Sequence, residues 1–258
     1  MSTVTTDHAE QVSTTGFAVI PRALDRDHAT ELRAALAELV SSQRATADDR
    51  TAVDDYMVHN PMMLDPRFLD LLQNPAIVSA LDAFLGATSI LYAYTSSSMP
   101  SGGSNYSRRV HVDSPRVIPD YMTNLGVIVA LDDFTDDNGA TYFLPGSFER
   151  IEPPSEDEFF AGAQRVYPQR GDLVVFNART WHYGGVNTTS EDRHAVTLNA
   201  CRAYMRQRFD YPRMVGDELG STLSPTLRRI LGFDVRVPTS LEEYYLPEDQ
   251  RLYKANQG

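Results

Sequence analysis

Leu125-Gly126-Val127-Ile128-Val129-Ala130-Leu131 is followed by the turn residues Asp137-Asn138-Gly139 and then by Thr141-Tyr142-Phe143-Leu144. Two apolar runs of strand length separated by Asn-Gly turn chemistry predict antiparallel strands joined as a hairpin. Comparable runs stand at Ser89 to Tyr94, Leu173 to Phe176 and Ala195 to Tyr204, each set off by Gly, Pro, Asn or Asp. Several short strands spaced this way predict an antiparallel sandwich or barrel over residues 87–213. The acidic turn is not an EF-hand loop. Placing Gly139 at the sixth position of such a loop puts Phe134 at the first, where a carboxylate must stand.

Upstream the pattern becomes helical. Gly16 to Pro21 reads as a short strand, and Asp25 is the expected N-cap of a helix whose Leu32, Leu36, Leu39 and Val40 form one apolar face. That helix is expected to end in the polar stretch Ser41 to Asp49. A second helical region runs from Pro66 to Leu85, broken at Asn74-Pro75 and closed by Gly86, with Phe68, Leu71, Leu72, Ile77, Leu81 and Leu85 as its buried stripe. Residues 1–15 are polar and expected to be flexible. After Arg213 a short helix is expected near Pro225 to Leu231. Tyr244, Tyr245 and Leu246 are too apolar for a plain tail, so they are expected to pack on the domain near a pocket mouth. The chain thus reads as one domain, 1–258: a helical flank at 16–86, a β core at 87–213 and a C-terminal helix and tail at 214–258.

Composition narrows the function. With 42% hydrophobic and 22% charged residues the chain is globular rather than wholly disordered. Its 23 basic and 35 acidic residues leave a net charge of −12, which opposes binding to nucleic acid or anionic membranes. The longest apolar run, Leu125 to Leu131, is far short of the roughly 20 residues of a membrane helix. The first residues lack the pattern of a signal peptide, so a cytoplasmic protein is expected. One cysteine, Cys201, excludes internal disulfides and cysteine-cluster metal sites. Any metal must be held by His and carboxylate.

Of the six histidines, His111 and His182 have surroundings that suggest a ligand. His111-Val112-Asp113 places an imidazole and a carboxylate two residues apart, hence on one face of a strand. His182 follows the apolar run Leu173 to Phe176 and Trp181. Two His and one carboxylate are the facial set of non-haem Fe(II) oxygenases, which leaves three coordination positions open. The same three residues also suit a zinc-dependent hydrolase, and a non-catalytic jelly-roll binding module would need none of them.

Further motifs give these residues a context. Asn138-Gly139, Leu144-Pro145-Gly146-Ser147, Gly171-Asp172-Leu173-Val174-Val175-Phe176 and Trp181-His182 stand in that order, and Arg193 stands eleven residues after His182. With the His-x-Asp motif before them, this order resembles the phytanoyl-CoA dioxygenase family. The resemblance implies a mainly β double-stranded β-helix, a jelly roll of the cupin kind, with flanking helices. It also implies Fe(II), 2-oxoglutarate as cosubstrate and O2. On this resemblance His111, Asp113 and His182 are the iron ligands, and Arg193 anchors the distal carboxylate of 2-oxoglutarate. Many related oxygenases carry a hydroxyl residue two positions after this arginine, where this chain has Ala195. Thr141 or Thr197 is then the expected second donor. Related halogenases replace the carboxylate by a small residue, so the presence of Asp113 favours hydroxylation or another oxidation.

Arg116 and Ser114 follow the metal motif and Tyr183 follows the second histidine, so all three are candidate substrate contacts. Asn199, expected to face inward with Thr197, and His59 are further candidates. Between Arg165 and Arg213 there are eight arginines against four acids, so this half attracts anions. Solvated outer strand faces account for the excess equally well. The expected substrate is a small polar metabolite or natural-product intermediate, the expected products succinate and CO2 beside the oxidised substrate, and the expected state a monomer or homodimer.

Overall fold

The computed structural model describes residues 2–46 and 56–253. The N-terminal flank comprises α1 (Thr6–Thr15), β1 (Phe17–Ile20), α2 (Arg26–Thr46), α3 (Pro66–Leu71) and α4 (Pro75–Leu85). The β core follows with β2 (Ile90–Ser96), β3 (Asn124–Ala130), β4 (Tyr142–Phe143), α5 (Glu156–Gly162), β5 (Gln164–Arg165), β6 (Leu173–Asn177), β7 (His182–Tyr183) and β8 (Ala195–Cys201). After it come α6 (Tyr211–Val215), α7 (Asp217–Thr222), α8 (Pro225–Ile230) and α9 (Leu241–Tyr244).

Local chemistry sets the helix boundaries. Asp25 Oδ1 accepts a hydrogen bond from the His28 amide at 2.9 Å. Asp65 and Asn74 cap α3 and α4, each followed by proline at the first helical position. Because α2 runs to Thr46, the polar stretch is helical that far, and residues 47–49 lie outside the described residues. Residues 5–15, within the segment expected to be flexible, depart from expectation. The Thr5 hydroxyl accepts from the His8 amide while His8 Nδ1 accepts from the Thr5 amide, a reciprocal cap on α1. Gly16 closes the helix with φ 92°, and Val12 is buried. Polar composition concealed a segment held by its two ends and one apolar contact.

Two antiparallel sheets make the jelly roll. The larger has the order β1-β6-β3-β8-β2, the smaller β5-β4-β7. A reciprocal backbone bridge between His111 and His182 extends the smaller sheet. The expected hairpin at Asp137-Asn138-Gly139 does not form. Strand β3 is paired on both sides, to β6 and β8, so it has no edge left for β4. The turn instead carries the chain from one sheet to the other, with Gly139 at φ 84° and Asn138 bridged to Asn187.

Strand alternation divides two apolar clusters. Leu125, Val127, Val129, Leu173, Val175, Val196 and Leu198 face α2 and α4 in one of them. Phe17, Ile128, Ala130, Phe134, Phe143, Val174, Phe176 and Ala195 fill the space between the sheets. Among the described residues no helix is long and apolar enough to cross a membrane. Of the C-terminal aromatics, Tyr244 and Tyr245 are exposed and meet edge to face, against expectation. Tyr244 ends α9, which buries no residue, and Tyr245 caps it, whereas Leu252 and Tyr253 turn back to line a cavity.

Gly126 shows how tightly the inner layer is built: a Cβ there would overlap the Phe176 ring, which lies across the backbone. We expect Gly126→Ala to cost about 1–3 kcal/mol through overpacking, or about 2–4 °C of Tm for each kcal/mol. Thermal unfolding measures it, and an unchanged Tm would show that the ring has room to move.

Candidate metal centre

The bridge between the two histidines creates the site. The His111 amide donates to the His182 carbonyl at 3.0 Å and the reverse bond is 2.9 Å, which leaves the imidazole centroids 4.1 Å apart. Asp113 is held by its own amide, which donates to the Ala178 carbonyl at 2.9 Å. Its Oδ1 then lies 3.7 Å from His111 Nε2 and 3.8 Å from His182 Nε2. These separations are too long for hydrogen bonds and leave room for an ion. The ligand atoms of the three residues lie within 4.8 Å of one another.

Each imidazole is oriented from behind. His111 Nδ1 faces the Arg109 carbonyl at 2.8 Å and His182 Nδ1 faces the Thr180 carbonyl at 3.0 Å. A carbonyl only accepts, so Nδ1 carries the proton and Nε2 keeps its lone pair for the common point. Burial, with His182 adjacent, lowers the His111 pKa to about 3. The ring therefore stays neutral at physiological pH, as a metal ligand must. His182 packs on Phe143 and Phe176, at 5.6 and 5.1 Å between centroids, so the site has a dry apolar floor.

Arg193 is 3% exposed. Its guanidinium donates to the carbonyls of Ser97, Asn138 and Gly139 at 3.1–3.4 Å and stacks on Phe134 at 4.1 Å. It has no carboxylate partner among the described residues. Burial pulls its pKa down to about 9, against a smaller opposing effect of Asp132. A buried cation satisfied only by neutral carbonyls carries a desolvation cost that those dipoles offset only in part. Thr141 is buried on the face shared with Phe143, and Thr197 stands opposite Ile128 on the inner face of β8.

The substrate candidates are scattered. Asn199 faces inward and accepts from Asn124 Nδ2 at 3.0 Å. His59 bridges to Thr95, which pairs with Thr197, so it continues an inward row beyond the sheet edge. Ser114 is buried against Thr123 at 3.4 Å, and Arg116 is exposed. The structure does not bring Tyr183 to the metal face. Alternation after His182 turns it outward, into a ring cluster with Tyr142, Phe159 and Phe160.

Two residues here carried no sequence signal. Tyr106 lies in an irregular loop, its phenol raised to about 12 by burial, with the Asp113 charge adding and Arg208 and Arg109 opposing. Arg179 looked like one more surface arginine. It is buried and donates to the Phe148, Ser114 and Arg150 carbonyls, pinning the loop that leaves Asp113.

Known proteins resemble this chain. The phytanoyl-CoA dioxygenase family matches residues 12–195. The chain belongs to that family. An uncharacterized protein of Mycobacterium tuberculosis is 36% identical over 202 residues, covering 76% of this chain and 74% of that protein. Dioxygenase af480 of Aspergillus fumigatus is 30% identical over 180 residues, covering 65% of this chain and 55% of the fungal one. Among solved structures, EctD from S. alaskensis with 2-oxoglutarate and 5-hydroxyectoine aligns with a TM-score of 0.67 at 17% identity, covering 80% of this chain and 78% of that one. This likeness shows the family's jelly-roll fold.

Arg179 supports Asp113 from outside any ligand set. We expect Arg179→Gln to weaken divalent-metal affinity by about 10- to 100-fold, as loss of an outer support does. A Co(II) titration followed by absorption measures this; an unchanged affinity would mean that the loop is held without it.

Proposed function

We propose that this chain is a non-haem Fe(II)- and 2-oxoglutarate-dependent dioxygenase that oxidises a C–H bond of a small polar metabolite or natural-product intermediate. His111, Asp113 and His182 hold the iron, and Arg193 binds the distal carboxylate of 2-oxoglutarate. The observation that carries this is the pairing of a two-His, one-carboxylate cluster with a buried guanidinium that has no carboxylate partner among the described residues. A zinc hydrolase would use the cluster but has no need of the buried cation, and a binding module has no need of the cluster. The donor set suits iron: two neutral imidazoles and one carboxylate on one side leave the other positions open.

When bound, iron with 2-oxoglutarate and O2 supplies the oxidant for an unactivated C–H bond, and 2-oxoglutarate leaves as succinate and CO2. The protein's part is geometric. The carbonyls behind His111 and His182 fix the tautomer, and the Phe143 and Phe176 rings keep water from the floor. Arg193 supplies a planar fork for a carboxylate, and Thr141 and Thr197 offer inward hydroxyls. Asn199, His59, Ser114 and Arg116 remain the candidates for substrate contact. Residues 1–258 act as one domain in this reading, because one apolar cluster joins residues from Val12 to Phe233.

Anaerobic reconstitution tests it. Fe(II) and 2-oxoglutarate together should give the weak visible absorption of the chelate, and His182→Ala should lose both metal and absorption while remaining folded. Arg193→Ala should keep the metal but lose about two to four decades of 2-oxoglutarate affinity, from about 3–5 kcal/mol for an unpaired buried charge at about 1.4 kcal/mol per decade. Arg193→Lys should recover part of that loss. Retained affinity in Arg193→Ala would place the anchor elsewhere.

A further inference from the structure

Most arginines of this acidic chain are committed. Arg165 and Arg170 pair with Asp136 and Asp132 at 2.8 and 2.9 Å, and Arg179 and Arg202 donate to backbone carbonyls. Seven described arginine side chains make no hydrogen bond, ion pair or ring contact with a described residue. One is Arg22. The other six fall in two short segments: Arg108, Arg109 and Arg116 around the His-x-Asp motif, and Arg206, Arg208 and Arg213 beyond β8. All six are exposed to solvent.

The second trio lines a cavity of about 1140 Å³ under the C-terminal turn. The acids in its wall are already engaged. Asp217 pairs with Arg236 at 3.1 Å, Asp210 accepts from the Arg213 amide at 3.1 Å, and Glu243 accepts from the Thr239 amide and hydroxyl. No metal residue lines the cavity, but a short chain of hydrogen bonds links its wall to the metal residues. Asp113 and Ser114 both donate to the Ala178 carbonyl, and Ser114 Oγ meets Thr123 Oγ1 at 3.4 Å. The Thr123 carbonyl then accepts from Arg202, whose neighbour Ala203 lines the cavity. Tyr106, which feels both Asp113 and Arg208, lies between the two.

We infer that this cavity is the substrate chamber of the enzyme and that Arg206, Arg208 and Arg213 form an anion subsite in it. The substrate then carries a carboxylate or a phosphate at some distance from the oxidised carbon. This deepens the oxygenase reading and rests on it. The guanidinium forks bind either group bidentately, and the open cavity allows water beside them, so the effect per residue is moderate. Arg109, across Tyr106, adds field without being part of the wall.

The test uses the full-length protein loaded with Fe(II) and 2-oxoglutarate under argon, titrated calorimetrically with phenyl phosphate, phenylacetate and neutral phenylacetamide. At least one of the two anions should bind at least about threefold more tightly than the amide. Which one does so distinguishes phosphate from carboxylate. The Arg206→Gln, Arg208→Gln double variant should weaken that anion by at least about threefold with its melting temperature retained. Equal binding of all three probes, no binding of either anion, or a smaller change in the double variant each overturns the subsite. The chelate absorption of the unsubstituted protein reports separately on the oxygenase reading. If it is absent that reading fails, and if it is present while the anions show no preference only the subsite fails.

Discussion

Two backbone hydrogen bonds between residues 111 and 182 set the chemistry of this protein. They close the smaller sheet on its outer side and in the same act bring two imidazoles to 4.1 Å. Asp113 follows two residues after the bridge and reaches the imidazoles from a bend. Its amide bond to the Ala178 carbonyl fixes its height. Everything else in the centre serves to keep that bridge in register. The Phe143 and Phe176 rings support His182 from below, and Gly126 exists to let Phe176 lie there.

The electrostatics of the interior are arranged around absent charges. His111 is held neutral by burial, so the cluster offers lone pairs rather than competing cations. Arg193 keeps its charge at neutral pH although burial disfavours it, and only carbonyl dipoles and the Phe134 ring offset the cost. Such a group bears the desolvation cost of a buried charge. On the proposed function that cost is offset by one ligand that chelates at the metal residues and carries a carboxylate at its other end.

The sequence showed the metal residues because their chemistry is local: His111 and Asp113 stand two residues apart, and His182 lies at the start of β7 with Arg193 just before β8. It also showed the flanking helices, whose caps and prolines are local as well. It misjudged what depends on partners. The Asp137-Asn138-Gly139 turn has hairpin chemistry, yet β3 had no free edge, a fact fixed by β6 and β8 far away in sequence. The expectation for Tyr183 missed that one step of alternation past His182 turns a side chain to the opposite face. Arg179 and Tyr106 were illegible for the same reason, since their roles lie in carbonyls and charges that only the folded chain brings near.

Strands and loops divide the labour unequally. His111, Asp113, His182 and Arg193 all have backbone amides bonded to other segments, and all lie within the matched residues. The matched segment ends at residue 195, whereas Arg206, Arg208 and Arg213 lie beyond it, in loops and a short helix. Loops carry insertions and new side chains without disturbing a sheet, and the fold itself does not dictate what is bound. A chain can therefore keep an oxidising centre in its strands and change its substrate by redrawing the segments after β8. Six of the seven arginine side chains without a partner among the described residues lie in those segments and in the loop around Asp113, which is where the inferred anion subsite draws its charge.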